Sequence, residues 1–156
     1  MTHNPNCKEY KMFGKLFGKQ AEAAVQKLSG RTDFLEAVCA AAALIAVADG
    51  DIEDSEVKAT VKAVKANKLL NNGFDQSAIE TCINKMLERA VGGRVGRTGL
   101  WDEIREISKD ADLAQAVVLT ALDVAEGDGE IEPAEKVVLE RLAKELSVDL
   151  NRLMAV

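Results

Sequence analysis

Apolar residues recur at helical spacing along most of this chain, and no stretch shows the sustained apolar–polar alternation of a half-buried strand. Thr32 or Asp33 can cap a helix running to about Ala48. After Glu36 its body is apolar almost all round, which predicts a helix buried in the middle of a bundle. A second helix is predicted from about Asp54 to Lys68 on the stripe Val57, Val61 and Val64, with Asn71-Asn72-Gly73 closing that unit. Asp75 or Ser77 opens a third through about Ala90, and helices resume at about 100–109, 112–126 and 132–146, with a short one after Asp149. Val91 to Gly99 hold four glycines and two arginines and read as a flexible connector. The spacing is not that of a phosphate-cradling loop.

Ahead of this pattern lies a segment of different character. Met12, Phe13, Leu16, Phe17, Ala21, Ala24, Val25 and Leu28 form an apolar set at helical spacing with lysines between them. Residues 1–30 carry five lysines against two glutamates, although the whole chain is at −6. That basic amphipathic arm suits a helix packed on the domain, or one that makes peripheral membrane contact or docks a partner through residues 8–28. The expected architecture is therefore all-α. It has about seven to eight helices in two pseudo-symmetric halves, about 31–91 and 98–156, preceded by the arm at 1–30.

Composition narrows the function. Aromatic residues make up 4% of the chain and there are two prolines, which favours close-packed helices over a β-sandwich. A net charge of −6 argues against nucleic acid as a partner. The single histidine, His3, sits on the polar N-terminal tail, which removes most histidine-based hydrolase and zinc chemistry. Cys7, Cys39 and Cys82 have no metal-ligand or redox spacing and read as reduced thiols. No apolar run reaches the ~18 residues of a membrane span, and lysines interrupt every candidate secretory signal, so a cytoplasmic location is expected.

The most informative feature is a repeat. Asp49-Gly50-Asp51-Ile52-Glu53-Asp54-Ser55-Glu56 recurs about 80 residues on as Asp128-Gly129-Glu130-Ile131-Glu132-Pro133-Ala134-Glu135. Each copy follows a long apolar helix and opens an amphipathic one. The pattern D-G-x-I-x-x-x-E matches the second half of an EF-hand calcium loop, but Ile45 and Val47, then Val124 and Glu126, stand where the early oxygen ligands would be.

Helix capping explains the closing glutamates, Glu56 and Glu135, which fall in the first turn of a helix. It leaves the aspartates unexplained, because a helix C-terminus disfavours anions. Two stretches, Ala43 to Val57 and Val118 to Glu135, hold eleven of the 26 acids and no lysine or arginine. Three readings follow: a divalent cation, capping with solvated charge, or a basic protein partner. For the first, Asp49, Asp51, Glu53 and Glu56 form one ligand set and Asp128, Glu130, Glu132 and Glu135 the other. Calcium or magnesium would bind weakly, on the order of 10⁻⁴–10⁻³ M or looser.

The alanine-rich helix running into A-D-G-x-I-x-x-x-E, with its second copy in E-G-D-G-E-I-E-P-A-E-K, resembles the TerB family of tellurite-resistance proteins from about Thr32 onward. The resemblance implies an all-helical domain and a part in resistance to tellurite and related stresses. It also implies non-catalytic action beside other proteins of the tellurite-resistance system, among them an integral membrane partner and calcium-binding partners, with acidic patches that take divalent metal. The positions that carry it are Asp49, Gly50, Ile52 and Glu56, then Asp128, Gly129, Ile131 and Glu135. The function expected is thus a metal-responsive interaction module. The alternatives are a structural adaptor whose acidic face docks a basic partner and, less favoured, a metal-dependent hydrolase, for which there is no histidine ligand or convincing nucleophile.

Overall fold

The computed structural model describes residues 31–50, 52–127 and 129–155. The basic arm expected at 1–30 lies outside the described residues. Among those described, eight helices and no strand are present: α1 (Thr32–Ala46), α2 (Asp54–Ala66), α3 (Lys68–Gly73), α4 (Gln76–Val91), α5 (Arg94–Glu106), α6 (Ala111–Gly127), α7 (Pro133–Glu145) and α8 (Leu150–Met154).

The two most apolar helices make the centre. On α1, Phe34, Leu35 and every residue from Ala37 to Ile45 are buried. It touches α4, α5 and α6 most extensively, and α2 and α7 as well. On α6, Leu113, Val117, Val118, Ala121 and Leu122 are buried, and α2, α7 and α8 pack on it. The amphipathic helices close over this pair with Val64, Ile79, Ile83, Met86, Leu100, Ile104, Leu139 and Leu142. Each large aliphatic side chain so removed from water contributes about 1.5–3 kcal/mol. The alanines of α1 let neighbouring helices approach closely, as the low aromatic content foreshadows.

Two boundaries differ from the sequence expectation. Asn67 interrupts the second helix: its backbone is extended and its side chain accepts a hydrogen bond from Leu70 N–H, so a separate short helix, α3, begins at Lys68. The glycine-rich stretch read as a flexible connector is helical from Arg94 onward. Only Gly93, at φ +100°, has the left-handed backbone of a true break. Gly96 and Gly99 instead lie inside α5, where it crosses α4 at Arg89. A Cβ on Gly96 would fall 1.9 Å from the Arg89 carbonyl oxygen, and one on Gly99 would fall 2.5 Å from the Arg89 guanidinium. These glycines are there for close approach, and helix packing overrides their low propensity.

The membrane expectation is corrected. No helix among the described residues is long and apolar enough to cross a membrane. The apolar candidates α1 and α6 have 15 and 17 residues, short of the ~20 a bilayer core requires, and both are packed inside the protein. With that finding the membrane-centred partner set is withdrawn. Residues 8–28, to which peripheral contact was assigned, lie outside the described residues.

Candidate functional site

The two acidic turns occupy matching places. The first joins α1 to α2 and the second joins α6 to α7. In each, the motif glycine takes a positive φ, +92° at Gly50 and +127° at Gly129, which turns the chain sharply as the first helix ends. The motif isoleucines, Ile52 and Ile131, then fold back, partly buried against the common core. Glu56 and Glu135 follow at the third position of α2 and α7, and both are half-buried. Glycine, isoleucine and glutamate thus each have a backbone or packing reason to recur.

Because α1 and α6 lie side by side, the two turns come together. A single pocket of about 350 Å³ is lined by Asp49 and Glu56 from the first copy and by Glu130, Glu132 and Glu135 from the second. Its apolar wall is Ile45, Ala46, Ala59 and Ala125, and the small side chains leave the space open. Beneath it a cavity of about 30 Å³ again has Glu56 and Glu135 in its lining, with Ala42 and Thr60. Of the eight residues expected to ligate a cation, five therefore face one pocket. Glu53 is exposed and does not line it, and Asp51 and Asp128 lie outside the described residues.

The donor set is all carboxylate oxygen, which suits a hard cation such as calcium or magnesium and not a thiophilic one. Among the described residues, however, no three histidine, cysteine, aspartate or glutamate side chains converge closely enough to hold a metal ion. The pocket is an open acidic mouth, not a closed cage. Glu135 also serves its own helix, since Glu132 N–H donates to its Oε1 at 2.8 Å and so closes the start of α7.

A second pocket, of about 800 Å³, lies on the other side of the first turn. Gly50 and Ile52 line it, next in sequence to Asp49 in the acidic pocket, and Val137, Val138 and Arg141 of α7 line it just beyond Glu135. One face of α5, with Arg94, Arg97, Trp101 and Arg105, makes another wall, and Leu44 and Val47 with Ala90 and Val91 line it too. The Arg141 guanidinium sits 4.1 Å above the Trp101 ring, and Glu145 accepts from Arg105 Nε at 3.0 Å. Sequence reasoning missed this site. Its signal was the spacing of Arg94, Arg97, Trp101 and Arg105, a one-face stripe visible only once α5 is known to begin at Arg94.

The two cysteines among the described residues are free thiols. Cys39 is buried on α1 and Cys82 half-buried on α4, where its Sγ lies 3.8 Å from the Leu35 carbonyl oxygen. The neighbouring Cys82 thiol and burial push the Cys39 pKa well above the usual thiol value, whereas that of Cys82, beside Cys39, is lowered.

The family model described as tellurite resistance protein TerB matches residues 35–155, most of the chain. The protein belongs to that family. No curated protein and no solved structure matches it.

Proposed function

We propose that this protein is a non-catalytic, cation-responsive interaction module of the tellurite-resistance type, acting in the cytoplasm, with its acidic pocket taking calcium or magnesium weakly. The observation that carries the reading is that both acidic turns line one pocket. Five carboxylates around an open mouth repel one another, and a hard cation among them relieves that repulsion. Membership in the family supports a role in resistance to tellurite. Responsiveness has a physical route: the backbone that carries Asp49 also supplies Gly50 and Ile52 to the second pocket, so drawing Asp49 inward moves a wall of that groove.

A second reading has its own support. The Glu132–Glu135 hydrogen bond is what capping alone requires, and a purely structural adaptor would use the acidic face for a basic protein partner. Melting temperature separates the two. At ten times a dissociation constant, a bound ion stabilises by about 1.4 kcal/mol. Calcium or magnesium should then raise the midpoint of the wild type by about 3–6 °C. Glu56→Gln with Glu135→Gln should abolish the rise while keeping an amide that can still cap. A rise matched by sodium chloride at equal ionic strength would leave capping as the account.

A further inference from the structure

The second pocket is basic in an acidic protein. Arg94, Arg97, Arg105 and Arg141 line it, and no described carboxylate does. Two of these charges are already occupied: Arg105 is bound by Glu145 and Asp102, and Arg141 lies on Trp101 within 4.0 Å of Glu145. Arg94 and Arg97 form no ion pair among the described residues, although Arg97 Nη1 donates to the Ala90 carbonyl at 3.3 Å. Between the arginines the surface is apolar. Leu44, Val47 and Ala90 lie at the floor, and the rim carries Val91 and Val137, 54% and 65% exposed. Val95, beside Arg94, is 88% exposed. The large exposed hydrophobic residues of the described chain are thus concentrated here, with Met154 as the exception.

Apolar side chains left in water beside unspent guanidinium groups are the complement of an amphipathic acidic surface. We infer that the groove between α5 and α7 docks an acidic amphipathic segment of a partner protein, its apolar side chains against Val91 and Val137 and its carboxylates on Arg94 and Arg97. Arginine's planar fork favours carboxylate pairing. The exposed valine rim continues outside the pocket, which fits a segment laid along the groove better than a small ligand enclosed within it. This inference rests on the interaction-module reading but needs no cation, so its test is run in a chelator, where failure of the groove and failure of the ion site are read separately.

The test pans a displayed library of random peptides on the full chain. It then titrates a selected peptide against the fluorescence of Trp101, the chain's single tryptophan. The expected result is selection of sequences that combine leucine, isoleucine or phenylalanine with aspartate and glutamate. Binding should change the Trp101 emission saturably. Arg94→Glu with Val137→Glu, both at exposed positions, should weaken it roughly tenfold or more. Either substitution alone serves if the pair fails to fold, and Lys58→Glu, on α2 outside the groove, should leave affinity unchanged. Failure to select acidic sequences, or equal binding by the variants, would overturn the proposal. So would saturation of the Trp101 signal by dodecanoate or phosphatidylglycerol vesicles where the peptides have no effect, since the groove would then serve an amphiphile or a lipid surface.

Discussion

Glu56 and Glu135, the closing acids of two motif copies far apart in sequence, line the same pocket, each half-buried in the first turn of the helix that follows its acidic turn. That meeting is a consequence of the core. The long helices α1 and α6 are buried over most of their surface and pack against each other, and the turns at their C-terminal ends line one pocket.

The turn glycines give a first prediction. At Gly50 and Gly129 nothing lies within 4 Å of an added Cβ, so substitution meets no clash and costs only the positive φ. Gly50→Ala and Gly129→Ala should each destabilise by about 1–2 kcal/mol. Urea denaturation should show a lower midpoint with an unchanged slope.

A second pair of glycines separates close approach from conformational freedom. Gly96→Ala must push α5 off α4, because its Cβ would collide with backbone at Arg89, and should cost about 2–4 kcal/mol. Gly127→Ala meets only the Ala63 Cβ at 3.9 Å, so it should be neutral or stabilise by up to about 1 kcal/mol. Equal effects of the two in thermal melts would contradict the packing described for α5.

The pH dependence of one half-buried carboxyl gives a third. Burial, and then the neighbouring Glu103, raise the Glu36 pKa above its ordinary value. The folded state therefore holds that proton more tightly than the unfolded chain. Glu36's contribution is most favourable below the ordinary glutamate pKa of about 4.3 and falls as pH rises through the raised value. Glu36→Gln should melt higher than wild type at pH 7, with the advantage shrinking as pH falls through the raised value and gone below about 4.3. A lower melting point at pH 7 would show that Glu36 is held by a favourable partner instead.

The helical class and the buried character of α1 and α6 were legible in the sequence because an apolar run with no polar face has only one place to go. What could not be read was anything set by distance between elements. Gly96 and Gly99 look like breakers when judged by propensity, and only contact with Arg89 shows them to be spacers. Misreading them hid the start of α5, and with it the alignment of Arg94, Arg97, Trp101 and Arg105. Likewise Asp49 and Glu130 each read as a turn acid on its own, and their sharing of a pocket depends on helix adjacency that no local pattern encodes.

The most direct measurement of the shared acidic pocket is an amide NMR titration with calcium at constant ionic strength, following Gly50 and Gly129. If one ion is held by both turns, the two amides shift along a single isotherm in the millimolar range, and Glu56→Gln abolishes the response at Gly129 as well as at Gly50. Separate midpoints, each lost only with its own glutamate, would mean two independent turns. Shifts reproduced by sodium chloride would mean no site at all.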